Sequence, residues 1–419
     1  MSEKRATVVV TGLGATTPLG GDVESTWSAM LAGRSGSRLI EEEWAEPLPV
    51  RIAAAAAVDP ATYFDRVQAR RIDRCSQFAI VALREAWADA GYTGPADTLG
   101  QPSATRVGIS LGSGIGGLLT LLQNYDTMRS RGPRLVSPVA LPALMPNSSA
   151  AQASLIINAQ AGLHSPNSAC ATGAEAVLQA VDMIRLGRAD VVVAGGTEAV
   201  IHALTIAGFA NMMAMSRNNE DPQGASRPFD RRRDGFVLGE GAAMLVLETA
   251  EHARARGARV YCELAGVGLS SDAFHLARPD TSGDGVARAL ESMLIDGDLR
   301  PEDIGYVSAH ATSTPQGDLA ESRALCKVLG IGGYTVSAIK SMTGHMLGAA
   351  GALSAVATVR ALHDRMAPPT INLDEPDEEI ELDIVAGAPR ALPGGSLAAL
   401  SNAVGFGGHN VSLAFRAAE

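Results

Sequence analysis

The sequence predicts an α/β protein made of two similar halves, and three observations carry that prediction. Apolar, strand-length runs alternate with amphipathic, helix-length segments along the chain, which implies helices laid over largely buried sheets. The same order of features then occurs twice. In each half a reactive residue opens a buried helix and a Gly-rich turn later opens a strand. Cys170 precedes Gly239 and His345 precedes Gly405 by similar intervals of roughly 60–70 residues. Finally, 419 residues with 46% hydrophobic and 19% charged side chains describe a compact chain with a large core. The halves divide at residues 1–255 and 256–419.

Taken in order, Thr7–Gly14 reads as a buried strand ending in a Gly turn, and Glu24–Ala32 as a short amphipathic helix. Gly12 and Gly14 open a dinucleotide fingerprint, but the third glycine is missing because Thr17 stands in its place. Residues 66–74 form a dense basic run before an apolar helix from Phe78 to Ala90. Such a run is either a solvated helix face or a dock for an acidic partner. Val107–Gly117 is a strand followed by a Gly-rich turn without the Lys-Ser/Thr of a phosphate loop. Ala189–Gly196 and Leu238–Glu248 are further strands. In the second half, Ile304–Ser308 is a strand feeding His310, and Met342–Val359 reads as a buried helix and not a membrane span, since it contains His345 and several small polar residues. Val411–Phe415 closes the chain as a strand.

A net charge of −11 argues against a nucleic-acid surface. The four cysteines, at 75, 170, 262 and 326, show no paired spacing; this fits a reducing compartment and gives no zinc site. The N-terminal apolar run is too short for a signal peptide, so a cytoplasmic protein is expected.

Cys170 lies where the polar stretch Ser165-Pro166-Asn167-Ser168 runs into an Ala- and Leu-rich helical stripe. Pro166 argues against a helix before it, which places Cys170 in the first turn, where free N–H groups favour a thiolate. By itself a cysteine there reads more readily as a small buried hydrophobe. His310 follows a strand among small polar residues, and His345 opens a helix as Cys170 does. Singly each reads as a hydrogen-bonded structural histidine. Together the three supply a nucleophile and two imidazoles, as thioester chemistry on a carbanion requires. Gly405-Phe406-Gly407-Gly408 offers backbone N–H groups able to approach a reacting carbonyl.

The motifs Ser168-Ala169-Cys170-Ala171-Thr172-Gly173, His310-Ala311-Thr312-Ser313-Thr314-Pro315, Lys340-Ser341-Met342-Thr343-Gly344-His345 and Gly405-Phe406-Gly407-Gly408-His409-Asn410 resemble those of the β-ketoacyl-acyl-carrier-protein synthases, closest to the elongating group. The resemblance runs from Val8 to Phe415. It implies a thiolase-like fold with layered α-β-α-β-α architecture and a decarboxylative condensation of an acyl thioester with malonyl-carrier protein. It implies that Cys170 accepts the acyl group, that His310 and His345 promote decarboxylation, and that Lys340 and Glu321 support them. Backbone N–H groups of Cys170 and Phe406 are expected to form an oxyanion hole, with Phe406 as the gate. Thr312 and Thr314 are expected on the phosphopantetheine arm, and Ile115, Phe209 and Val404 against the acyl chain. Arg66, Arg70 and Arg71 are expected to dock the acidic carrier. No bound cofactor or metal is implied, and a homodimer is.

The chain departs from the pattern at two places. Val404 replaces an aromatic expected beside the thiol, and Asn167 stands where a β-branched residue is usual. These changes are either compensated repacking or altered acyl or inhibitor fit, as in a secondary-metabolism or self-resistance copy. A polyketide ketosynthase would use the same residues. A non-catalytic chain-length partner would lack Cys170, a degradative thiolase would carry a second cysteine near the C-terminal glycines, and an initiating synthase would use Cys-His-Asn.

Overall fold

A computed structural model describes residues 5–418. Ten strands make one continuous sheet: β1 (Val8–Thr16), β2 (Val107–Gly112), β3 (Gly162–His164), β4 (Val191–Glu198), β5 (Gly241–Thr249), β6 (Cys262–Ser271), β7 (Ile304–Ser308), β8 (Thr335–Ser337), β9 (Ala398–Gly405) and β10 (His409–Ala417). Their order across the sheet is β8-β7-β9-β10-β6-β1-β5-β4-β2-β3.

The order is a repeat read outward from the middle. In the first half β1, β5 and β4 are antiparallel neighbours, and β2 and β3 continue parallel to β4. In the second half β6, β10 and β9 are antiparallel, and β7 and β8 continue parallel to β9. The two sets meet through only two register pairs, Val9 with Glu263 and Val10 with Cys262. The first set is therefore drawn from residues 8–249 and the second from 262–417.

Helices fill three layers around these two half-sheets. Eight of them are α1 (Arg74–Asp89), α2 (Leu118–Arg131), α3 (Ser148–Ile157), α4 (Thr172–Arg185), α5 (Ala203–Asn211), α6 (Asp284–Asp296), α7 (Pro315–Leu329) and α8 (Ala350–Asp364). Strand residues alternate between faces, as a two-residue period requires. Val192, Ala194, Leu245 and Leu247 pack on one side with α4 and α8, whose central cluster also takes Ala399, Val411 and Leu413 from the other half. Val191, Val193, Met244 and Val246 face α1 and α3, while Val307, Leu400 and Ala414 face α6 and α7. The result is the expected α-β-α-β-α stack.

The glycines noted near the N-terminus serve this packing. A Cβ on Gly12 or Gly14 would stand 2.3 or 2.0 Å from the Ala86 or Ala82 carbonyl of α1. Gly266 and Gly268 on β6 do the same against Met293 and Ala289 of α6, at 2.4 and 2.0 Å. Equivalent strands thus let equivalent helices approach closely in both halves, where a side chain would forbid it.

One expected element differs. Met342–Val359 is not one helix: a short turn of helix at Lys340–Thr343, a 3-10 turn at Leu347–Ala349 and then α8 follow one another. Gly344 breaks the first, with φ of 61°. No helix among the described residues is long and apolar enough to cross a membrane.

Candidate active site

Cys170 is presented by a strained elbow between β3 and α4. Ala169 adopts φ of 51°, uncommon for a residue with a Cβ, and Ala169–Ala171 form a 3-10 turn that feeds α4. Cys170 therefore sits just before α4 and not in its first turn, which corrects the sequence reading. The glycine loop closes on this elbow: a Cβ on Gly405 would lie 2.2 Å from the Ser168 carbonyl and 3.3 Å from the Cys170 nitrogen. Any larger residue at 405 would push the two segments apart.

Cys170, His310, His345, Thr312, Thr314, Val404 and Phe406 all line one cavity of about 430 Å³. The duplicated topology explains why residues so distant in sequence meet. Cys170 precedes α4 and His345 precedes α8, and these helices pack together in the central layer. His345 does not open a helix as expected. It lies in an extended segment where its N–H donates to the Val237 carbonyl at 2.7 Å and its own carbonyl accepts from Gly239 at 2.9 Å. His310 follows β7 on the facing half-sheet. The two imidazoles stand edge to face with centroids 5.5 Å apart, and Phe236 packs edge-on against His345 at 5.4 Å. His345 Nδ1 is buried without a hydrogen-bond partner among the described residues.

Electrostatics set the protonation states. Burial, then the nearby Lys340 charge, hold His345 well below the ordinary histidine range; burial, Lys340 and His345 do the same for His310. Both rings are therefore neutral near pH 7. Burial also draws Lys340 down to about 8, opposed by Glu321. Its ammonium donates to the His310 backbone carbonyl at 2.5 Å, not to an imidazole. Glu321, on α7, accepts from the His310 and Ala311 N–H groups at 2.8 and 2.7 Å and from the Asn402 amide at 3.1 Å. Asn402 in turn accepts from the Ser412 hydroxyl at 2.6 Å. Glu321 thus fixes the backbone that carries His310. Asn402 and Ser412 were not singled out from sequence, because nothing local marks a strand residue that reaches a helix of another element.

The thiol itself corrects a second expectation. Burial pushes Cys170 up to about 12, against the pull of Lys340 and of the Phe406 and Cys170 N–H groups directed at the sulfur. Cys170 therefore rests as a thiol. The helix start, Lys340 and the two N–H groups moderate the desolvation without overcoming it.

The remaining expected residues are spread around this centre. Thr312 and Thr314 share a hydrogen bond of 3.1 Å at the cavity wall. Phe209 packs behind the gate, with its ring centroid 6.5 Å from that of Phe406 and 5.4 Å from that of Phe236, but does not line the cavity. Ile115 is outside the lining as well and is 36% exposed. Asn167 does not border the cavity: it is exposed and its amide donates to the Gly114 carbonyl at 3.3 Å. Arg66, Arg70 and Arg71 project from a short helix, Arg66–Arg71, and are all exposed. Arg74, from the same basic run, is instead tied to Glu240 and Asp59 at 2.7 Å each. All four cysteines are free thiols. Cys262 is fully buried in β6 away from the cavity, which leaves Cys170 as the thiol at the site.

A buried thiol, two neutral imidazoles and a pair of converging backbone N–H groups make a site suited to acyl transfer on a duplicated α/β scaffold. The chain belongs to the beta-ketoacyl synthase family, whose N-terminal domain matches residues 5–253 and whose C-terminal domain matches residues 261–374. It is 45% identical over 97% of its length, and 96% of the relative's, to 3-oxoacyl-[acyl-carrier-protein] synthase 2 of Mycobacterium tuberculosis. It is 44% identical to the protein of that name from Coxiella burnetii, over 98% of both chains. Among solved structures, a type II PKS ketosynthase in complex with its acyl-carrier protein superposes with a TM-score of 0.90 at 31% identity, covering 99% of this chain and 100% of the other. A Burkholderia phymatum beta-ketoacyl synthase superposes at 0.89 with 36% identity, over 99% and 100%.

Proposed function

We propose that this protein elongates acyl chains in fatty acid biosynthesis as a 3-oxoacyl-[acyl-carrier-protein] synthase of the second type. One observation carries the reading: Cys170, His310 and His345 converge on a single cavity with the Phe406 and Cys170 N–H groups aimed at the sulfur. In the first stage the Cys170 sulfur attacks an acyl thioester on its carrier protein. The tetrahedral oxygen is held by the two N–H groups, and the carrier thiol leaves with a proton. In the second stage malonyl-carrier protein enters and its carbon–carboxylate bond breaks to release carbon dioxide. The enolate oxygen accepts from His310 and His345, whose neutral state leaves each ring with one N–H to donate. The enolate carbon then attacks the acyl-cysteine, the C–S bond breaks, the Cys170 sulfur leaves as a thiolate that takes a proton from water to restore the thiol, and a 3-ketoacyl carrier departs.

On this reading no resident cofactor or metal is needed, the phosphopantetheine arriving on its carrier and passing Thr312 and Thr314. The exposed Arg66, Arg70 and Arg71 offer an acidic carrier three cations that make no ion pair among the described residues. The cytoplasm is the compartment that keeps Cys170 reduced. A second copy of the chain is the partner we assign to α2, a 14-residue helix with no buried residue whose Leu121, Tyr125 and Met128 all stay exposed. The likeness to polyketide ketosynthases supports the same chemistry but at lower identity than the fatty-acid enzymes. Intact-mass analysis after mixing with acyl-carrier proteins of graded chain length tests the reading. Acyl mass on the wild type and none on Cys170→Ala is expected; no acylation with any chain would sink it.

A further inference from the structure

Glu198 takes no part in the chemistry above, yet it is completely buried at the end of β4, directly behind the nucleophile. Its carboxylate has four donors. Ser113 Oγ and the Ile115 N–H reach one oxygen at 2.9 and 3.4 Å, and the Gly114 and Gly348 N–H groups reach the other at 2.9 and 3.1 Å. Every donor is neutral, so the carboxylate bears its desolvation without an ion pair among the described residues, a costly way to hold a turn for stability alone.

What it joins is informative. Gly114 and Ile115 belong to the loop after β2, in the first half; Gly348 belongs to the turn after His345, in the second. The two can touch only because both are glycine: a Cβ on Gly348 would lie 2.4 Å from the Gly114 nitrogen, and one on Gly114 would lie 2.7 Å from Glu198 Oε2. Leu347, beside Gly348, lines the cavity, and Leu118, just beyond Ile115, packs in the same apolar cluster as Cys170, Leu347 and Ile206. Any shift between loop and turn is therefore a shift in the apolar space next to Cys170.

We propose that Glu198 is a positioning residue for acyl-chain selection: by tying the Gly114–Ile115 loop to the Leu347–Gly348 turn, it sets how long a chain Cys170 accepts. This rests on the acyl-transfer reading above. Burial pushes the Glu198 carboxyl up to about 7, against the pull of its four donors. Protonation turns one acceptor oxygen into a donor facing N–H groups, which loosens the clamp. The titratable groups packed against it are Cys170 on the elbow and Cys75 on α1, and burial holds both thiols protonated at this pH. Chain selection therefore shifts around neutrality.

The test compares kcat/KM for acylation of Cys170 by a medium-chain and by a long-chain acyl carrier protein and takes their ratio, which cancels effects on the shared chemistry. For Glu198→Gln, whose amide nitrogen cannot accept, the ratio should move toward the long chain by about tenfold, the worth of one well-made hydrogen bond. The ratio should also lose the pH dependence expected of the wild type between about pH 6 and 8. Ser113→Ala, which removes one donor and keeps the charge, should shift the ratio less and keep its pH dependence; it also serves if the glutamine variant does not fold. A wild type that loads both chains, with variants whose ratio is unchanged or whose rates fall equally for both, overturns the clamp alone. A wild type that loads neither chain overturns the acyl-transfer reading, and the clamp with it.

Discussion

The imidazoles of His310 and His345, brought from opposite halves of the chain, stand edge to face at 90° with 5.5 Å between their centroids. Burial and the adjacent Lys340 keep both neutral, so each ring can carry one N–H toward a developing enolate oxygen. Removing either ring should therefore strike decarboxylation harder than acyl loading. His310→Ala and His345→Ala are each expected to slow carbon dioxide release from malonyl-carrier protein by about 10²-fold or more, the usual scale for a lost acid–base or electrostatic group. Intact-mass measurement should still find acyl groups on Cys170. Equal loss in both assays would contradict the division of labour.

Lys340 titrates where it can be observed. Burial brings it down to about 8, so its charge fades as the pH rises through that value. That charge draws the Cys170 thiol downward against burial. Acyl loading is expected to decline on the alkaline side of about pH 8, and Lys340→Met should remove that limb. A variant profile that keeps the same alkaline limb would count against Lys340 as its source.

The Asn402 side chain links Glu321 to Ser412 in a site where all three are buried. Asn402→Ala leaves a carboxylate oxygen short of a donor and a hydroxyl short of its acceptor. A loss of about 1–3 kcal/mol in unfolding free energy is expected, measured by urea titration, together with a slower decarboxylation step because the His310 backbone is less well held.

The buried carboxyls also predict the pH of greatest stability. Burial raises Glu198, Asp318 and Glu85 to about 7 from ordinary values near 4. Each binds a proton in the folded state that the unfolded chain has already released, so its contribution is full below about pH 4 and is lost as pH rises through 7. Glu248 works in the opposite sense. Burial opposes its ionisation, but hydrogen bonds from His252, Arg256 and Thr11 bring it to about 2, so its contribution is lost only below the ordinary carboxylate range. His310 and His345, held neutral by burial, work against this below about pH 6.5, where the unfolded chain takes up protons that the folded rings do not, but three carboxyls outnumber two rings, so thermal unfolding midpoints should be higher near pH 5 than near pH 8. Each of the three raised groups should contribute on the order of 1 kcal/mol. A midpoint that rises steadily from pH 5 to 8 would be incompatible with these environments.

Val404 lines the cavity on the strand that ends in the gate, half-buried against the cluster under β9. Val404→Phe adds a ring to that wall and is expected to lower kcat/KM for longer acyl chains several-fold while short chains are little affected. Unchanged kinetics across a panel of chain lengths would show that the wall is not in reach of the acyl group.

The duplicated α/β pattern, the buried strands, and Cys170, His310, Lys340, Glu321 and His345 as the chemical set were all legible in the sequence. Hydrophobic periodicity and short motifs are local properties: Cys170 and His310 each sit in one, Lys340 and His345 share one, and Glu321 was legible only through the family resemblance. The places where the sequence reading erred are those where distant segments decide. Local pattern put His345 at a helix start, whereas pairing with Val237 and Gly239 holds it in extended backbone. Local pattern likewise made Cys170 a thiolate at a helix N-terminus, whereas burial under the glycine loop and the facing half keeps it protonated. Asn167 neighbours the nucleophile in sequence but turns outward to Gly114, while Glu198, in no recognisable motif, lies against the loop and turn behind it. Residue order determined which groups are present and what elements carry them. Their protonation, their facing partners and the clamp behind the thiol were decided by tertiary structure, because desolvation and hydrogen-bond geometry depend on segments the local sequence does not contain.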